Sequence, residues 1–353
     1  MIIVLLCGIV KSHLKGKLKP PVIKKGVSYR NLLEQRNLLS DTIEPTGELL
    51  MAKIHTYVNG NLVPKEEAGI SPYDHGFLYG DGTFEGIRIY NGRIFKFKDH
   101  MDRLYDSLKV LRIVPGISRE EMEAAIVKTI QKNELYDNGY IRLVISRGVG
   151  DLGINPRKCK DDPTIVIIVD RIQLYPEEMY DNGINVITCS TRRMVSQSLN
   201  PRIKSLNYLC NIFGIFEANH QNAQEGIMLT IDGYVSEATV DNIFILKKNG
   251  EIWTPPLYLG ILEGITRNTV MEIAREKGYR VKEKTFTIFD VYTADEVWLT
   301  GSGAELIPIK DCDGLTIGEG KAGPIFKELR AAFKALTKVD GYVIPRVEQT
   351  AVQ

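Results

Sequence analysis

The 353-residue sequence lacks paired cysteines: Cys7, Cys159, Cys189, Cys210 and Cys312 are odd in number and include no CxxC. That argues against a disulfide framework and a zinc site, so no metal is expected and the chain reads as reduced and cytoplasmic. Charge imbalance is lacking too, since 45 basic and 44 acidic residues leave a formal +1. Neither a nucleic acid nor an anionic membrane is therefore expected as the main partner. Residues 1–10 are apolar but too few to span a bilayer, with no basic flank before them and no small-residue cleavage site after. Internal repeats and low-complexity tracts are also missing.

What is present is an ordinary globular composition, 44% apolar and 25% charged, at a length that suits two domains. The first fifty residues stand apart: 11–25 are basic around a Pro-Pro pair, and 31–50 show no clean period. The expectation is that the functional protein begins at Met51 and that residues 1–50 are an upstream extension or a disordered tail. Residues 54–63 read as strand, Asn-Gly turn and strand. Strands follow at 84–90 and 93–97 around a second Asn-Gly turn. An amphipathic helix over 99–113 turns Met101, Leu104, Leu108 and Leu111 inward, and Ser118 with Glu121 opens another helix through a capping box. Strands at 140–146 and 164–169 complete an α/β domain over 51–170. Residues 171–183 read as a linker. A second domain over 184–338 holds a strand at 184–189 and a hairpin turning at Asp232-Gly233. It continues with a helix over 266–277, a strand over 296–300 and a helix over 323–336, before a loose tail at 339–353.

The stretch 201–218 organises the second domain. Tyr208, Leu209, Ile212, Phe213 and Phe216 recur at helical spacing, which predicts a buried helix starting near Leu206 with Ser205 as its cap. Lys204 then faces the positive end of a helix dipole, which favours the neutral amine, a nucleophile able to form a Schiff base with an aldehyde. Most lysines beside a cap are solvated, so other residues must carry the argument. Glu237 is either a solvent-edge carboxylate or a buried acid able to keep a heteroaromatic nitrogen protonated. Gly264-Ile265-Thr266-Arg267 opens a helix, and Thr300-Gly301-Ser302-Gly303-Ala304 follows a strand; each can be an anion nest or a plain turn.

Taken in order, these pieces resemble the class IV (fold type IV) pyridoxal-phosphate aminotransferases, and most closely their branched-chain amino-acid branch. The likeness is carried by 79–88 (YGDGTFEGIR), 100–104 (HMDRL), 140–142 (YIR), 204–209 (KSLNYL), Ser236-Glu237 through Asp241-Asn242, Gly264 to Arg267 and 300–305 (TGSGAE). The resemblance implies a two-domain α/β (α+β) fold with pyridoxal 5'-phosphate at the domain interface. It implies that Lys204 forms the Schiff base and shuttles the proton, that Glu237 pairs with the pyridine nitrogen, and that Tyr208 bonds the ring's phenolic oxygen. Arg103, Ile265, Thr266 and Ser302 would hold the phosphate. Tyr140, Arg142 and the Ser302–Gly303 turn would meet the substrate carboxylate, with Phe84, Tyr79 and Tyr175 lining the side-chain pocket and Arg88 orienting Tyr79 and Tyr140.

The substrates implied are L-leucine, L-isoleucine and L-valine with 2-oxoglutarate, in a homodimer or larger assembly whose active site is shared across subunits. In D-amino-acid aminotransferases of this fold one loop carries an Arg-x-His clamp. Here Leu152 and Ile154 stand at those positions, suited to closing a neighbour's apolar pocket. That argues against the D-amino-acid activity, and 84–88 (FEGIR) argues against an aminodeoxychorismate lyase. The sequence departs from the family after the glutamate, where Ala238 and Val240 replace the usual glycines. That departure is the one feature favouring a non-catalytic cofactor-binding homologue.

Overall fold

The computed structural model describes residues 54–160 and 162–346. Two sheets carry the fold. The first runs Tyr342–Val343, Arg93–Ile94, Gly82–Tyr90, Gly139–Ser146, Thr164–Arg171, His55–Val58 and Asn61–Pro64, every neighbouring pair antiparallel. Its strand alternation sorts side chains by role. Ile87, Ile89, Ile141, Leu143 and Ile145 point into a core under the helices Phe97–Leu111 and Arg119–Asn133, against Met101, Leu104, Met122 and Ile126. The alternate positions Phe84, Gly86, Tyr140, Arg142 and Val144 face a cavity instead. The capping box of Ser118 and Glu121 forms as expected.

The second sheet is mixed, in the order Arg280–Glu283, Glu251–Thr254, Asn242–Leu246, Glu296–Gly301, Glu305–Cys312, Ile184–Thr188, Glu225–Leu229 and Val235–Ala238. Ile243, Ile245 and Leu299 enter the core on one face, while Phe244 and Trp298 enter the core on the other, beside the helices Ile265–Glu276 and Pro324–Thr337. A sheet covered on both faces needs near-continuous apolar strands, which is why these read as apolar runs rather than alternations. Among the described residues no helix is long and apolar enough to cross a membrane.

Two expectations are corrected. The helix expected from Leu206 begins at Leu209 and ends at His220, with Tyr208 at its N-cap position and no side-chain cap. Its apolar face is not buried: Leu209 is 62% and Phe216 61% exposed, with Ile212 and Phe213 also open, whereas Asn211, Gly214 and Ala218 face inward. Small residues let this helix lie close on its sheet, and the large ones are left open. The tail expected to be loose returns to the first sheet instead, where Tyr342 pairs with Ile94 and Ile344 is buried. Residues 1–53 and 347–353 lie outside the described residues.

Candidate active site

Lys204 sits in an irregular segment stitched onto the first sheet. Its carbonyl accepts from the Phe84 N–H at 3.0 Å and from Thr83 Oγ1 at 2.8 Å, and its N–H donates to Ser107 Oγ at 3.3 Å. Two residues on, the Leu206 N–H donates to the Gly82 carbonyl. The expected dipole at Lys204 is thus replaced by a tether, because the helix starts five residues further along. Nζ reaches the Tyr208 hydroxyl at 3.3 Å and stands 4.7 Å from the centre of the Phe84 ring.

The amine opens onto a cavity of about 520 Å³ between the two sheets. Glu237, 5% exposed, lines an adjoining pocket that shares Tyr208, Val240, Asn242 and Leu262 with this cavity. Its Oε1 meets Arg193 Nη2 at 2.5 Å, and its Oε2 accepts from Asn242 Nδ2 at 2.9 Å and the Leu262 N–H at 3.0 Å. Burial pushes this carboxyl up, against the pull of Arg193, the Leu262 N–H and Lys204. Every neighbour that bonds it is an N–H donor, so both oxygens act as acceptors and Oε1 keeps a lone pair for one more donor.

Arg103, Ile265, Thr266 and Ser302 line the cavity together. The helix Ile265–Glu276 has Gly264 at its N-cap with no side-chain hydrogen bond, which leaves its first N–H groups free for an anion. Arg103 is held by Glu85, Nε to Oε1 and Nη2 to Oε2 at 2.8 Å each, and Nη1 donates to the Glu263 carbonyl at 2.8 Å. Five N–H groups minus these three leave two for the cavity. Glu85 is fully buried and also accepts from His100 Nδ1 at 2.8 Å. Burial raises the Glu85 carboxyl, but Arg103 and His100 overcome it and hold the group well below the usual range. Burial keeps His100 below the ordinary imidazole value, so it serves Glu85 as a neutral donor.

A third wall carries groups able to meet a carboxylate. Tyr140 and Arg142 stand side by side, with the Arg142 guanidinium 4.5 Å from the centre of the Phe84 ring. Gly86 is a requirement here: a β-carbon at that position would strike the Tyr140 hydroxyl. Gly303 closes this wall beneath Leu174.

Five expected site residues stand elsewhere in the chain. Tyr175 packs against the second core and Tyr180, so the linker contributes Ile172 and Leu174 to the cavity in its place. Arg88 lies on the cavity face of its strand but beyond the cavity's end, where it donates to the Ile172 carbonyl, pairs with Glu305 and stacks on Tyr90. It touches neither Tyr79 nor Tyr140 by hydrogen bond or ring contact. Tyr79 accepts from the Gly153 N–H at 2.8 Å and so braces the 150–154 loop. Leu152 and Ile154, 63% and 83% exposed, project from that loop into solvent. Sequence reasoning missed Arg193, Asn242, Glu85, Leu262 and Asp241. Glu85 lies inside a quoted motif, so its place opposite Arg103 could have been asked; Arg193 carries no spacing signal.

The residues fit pyridoxal phosphate on three counts: an acceptor with a spare lone pair for a protonated ring nitrogen, an uncapped helix start with two free guanidinium N–H groups for a dianion, and an amine between them. Thr300 Oγ1, buried and without a hydrogen-bond partner among the described residues, adds an unmet donor beside the anion end. Glu85→Gln removes the charge that orients Arg103. The expected outcome is a cofactor dissociation constant raised by about tenfold or more in fluorescence titration, with Glu85→Asp milder.

A family model described as class IV amino-transferase matches residues 82–312. A putative branched-chain-amino-acid aminotransferase of Methanocaldococcus jannaschii is 47% identical over 278 residues, 79% of this chain and 94% of that one. Among solved structures, the branched-chain amino acid aminotransferase of Escherichia coli aligns with a TM-score of 0.78 at 33% identity, over 82% of this chain and 96% of that chain. The branched-chain aminotransferase of Thermoproteus uzoniensis, solved with norvaline, aligns at 0.75 and 32% identity, over 81% and 95%.

Proposed function

The chain belongs to the class IV aminotransferases, and from that premise we propose that it moves the amino group between a branched-chain L-amino acid and 2-oxoglutarate. The observation that carries this reading is that Lys204 and the Arg103–Ile265–Thr266 anion end line one cavity with an apolar wall, while the Glu237 cradle lies in a pocket that adjoins it through Tyr208, Val240, Asn242 and Leu262. Phe84, Val144, Ile172, Leu174 and Leu206 supply that wall, which suits leucine, isoleucine or valine and offers a second carboxylate only Arg142.

Pyridoxal 5'-phosphate, when bound, supplies an electrophilic carbon and a ring that takes up the electrons of the substrate carbanion. Lys204 Nζ would serve as the nucleophile toward that carbon and as the base for the substrate's α-proton. The tethered backbone lets only the side chain swing. Tyr208 bonds that amine and stands ready to polarise an adjacent oxygen. Glu237 holds a proton on the ring nitrogen, and Arg103 with the free helix N–H groups fixes the phosphate.

The protein acts as at least a dimer in this reading. The open row Leu209, Ile212, Phe213 and Phe216 is supporting evidence, as is the exposure of Leu152 and Ile154, which in this reading would close a neighbour's cavity. The free thiols of Cys189, Cys210 and Cys312 support a reducing, cytoplasmic setting.

L-Leucine should bleach the visible band of the holoprotein and 2-oxoglutarate restore it, while Lys204→Ala shows no such band. Bleaching by D-alanine alone would overturn the branched-chain reading. Arg142→Ala should raise the KM for glutamate more than that for leucine, since only glutamate brings a second carboxylate. Phe216→Glu should shift the sedimenting species toward the monomer, and a monomeric wild type would end the shared-site reading.

A further inference from the structure

Asp241 ends the turn that leads into the strand Asn242–Leu246, where its carbonyl accepts from the Ala238 N–H; it lines the cavity and is outside every role assigned above. It is 4% exposed, and its Oδ2 has no hydrogen-bond partner among the described residues. Its Oδ1 lies so close to the Gly301 Cα that a β-carbon there would collide with it, so Gly301 is needed for Asp241 to stand where it does. The neighbouring Thr300 Oγ1 is likewise buried and unpartnered. Two unmet polar atoms thus flank residues 301–303, which line the same cavity.

The groups facing Asp241 come from four elements: Glu225 from the strand Glu225–Leu229, Glu237 from Val235–Ala238, Lys204 from the tethered segment, and Tyr175 from the linker. Glu225 is itself buried and already engaged by the Gly226 N–H and by Thr239. A carboxylate at Asp241 would therefore sit between two other carboxyls, beside the place where an anionic substrate arrives, with Lys204 as the one opposing cation among them. Any charge Lys204 loses on becoming a nucleophile leaves Asp241 with no counter-ion.

We infer that Asp241 enters the substrate-binding wall as an uncharged carboxylic acid, and that its ionisation sets the alkaline limit for binding the α-carboxylate of the amino acid or 2-oxo acid. As an acid it has an O–H to donate; as an anion it repels the ligand. Burial, Glu225 and Glu237 push the group up to about 8, so the neutral form dominates below that pH and is lost above it. The inference rests on the proposed reading of the 301–303 turn as the carboxylate cradle.

The test uses holoprotein and 4-methylvalerate, an unreactive carboxylate with the leucine skeleton but no amino group, titrated by its perturbation of the visible spectrum. In the wild type its affinity should fall about tenfold between roughly pH 7 and pH 9. Asp241→Asn should remove most of that fall while keeping the affinity near pH 7. An unchanged pH profile in Asp241→Asn overturns the inference and leaves the cradle intact, since any remaining titration then belongs to Lys204 and the cofactor. No binding of 4-methylvalerate at any pH overturns the cradle and the inference with it. Infrared spectra of 13C-aspartate-labelled wild type give a measure independent of the variant's folding. A labelled carboxylic-acid band present at pH 7 and gone near pH 9.5 is expected, and its absence at pH 7 refutes the neutral acid.

Discussion

The two hydrogen bonds that the Lys204 carbonyl accepts, from the Phe84 N–H and Thr83 Oγ1, fix the geometry on which the site depends. A reactive amine must move, but the chain that carries it must not. The tether meets this by fastening the backbone to the first sheet and leaving the side chain free over a cavity whose other end is built by the second sheet. The strand Gly82–Tyr90 is therefore a three-way component. Alternate residues build its core, Phe84 and Gly86 build the cavity, and its backbone holds the lysine.

Three buried carboxyls around one cavity show how environment assigns role to identical chemistry. Glu85 meets a bidentate guanidinium and a neutral imidazole donor, and stays ionised despite complete burial. Glu237 meets one guanidinium and two amide donors, which oppose the rise that burial brings without cancelling it, and both its oxygens suit a partner for a protonated ring nitrogen. Asp241 has other carboxyls for neighbours and one unmet oxygen, and is pushed toward neutrality. The ordering follows from the number and sign of the groups within reach, not from depth, since all three are buried.

Local signals carried much of this into the sequence. The Asn-Gly turns, the Ser118 capping box and the Gly264 helix start are short-range features, and the structure has them where the residues indicate. The helix after Lys204 shows the limit. Its period was legible, but a period states only that one face is apolar, not which surface covers it. Leu209, Phe213 and Phe216 are open, while Ile212 borders the cavity. Arg193 was invisible for a related reason: its partner Glu237 is 44 residues away, and nothing in 191–193 marks one of two adjacent arginines as buried. Tyr175 failed by parity, since in an extended linker Ile172 and Leu174 share the side that meets Gly303.

At 238–240 the two glycine replacements and the threonine between them play three unlike parts once the neighbours are known. Ala238 is fully buried in the second core, where a methyl group adds packing and touches no ligand. Thr239 donates to Glu225 at 2.5 Å, and its carbonyl accepts from Asn211, so this residue fastens the turn to the sheet and to the helix Leu209–His220. Of the three, Val240 borders the main cavity: it is half-exposed and lines both that cavity and the adjoining pocket at Glu237, as do Tyr208, Asn242 and Leu262. Its isopropyl group faces the same space as Leu262, giving that space apolar side chains from two different segments. A flat heteroaromatic ring is a good occupant for such a space, because apolar contact costs no desolvation of its faces while its nitrogen and phosphate find their partners at the two ends. The glycine replacement thus adds a surface to the site and removes none of the polar groups that the chemistry uses.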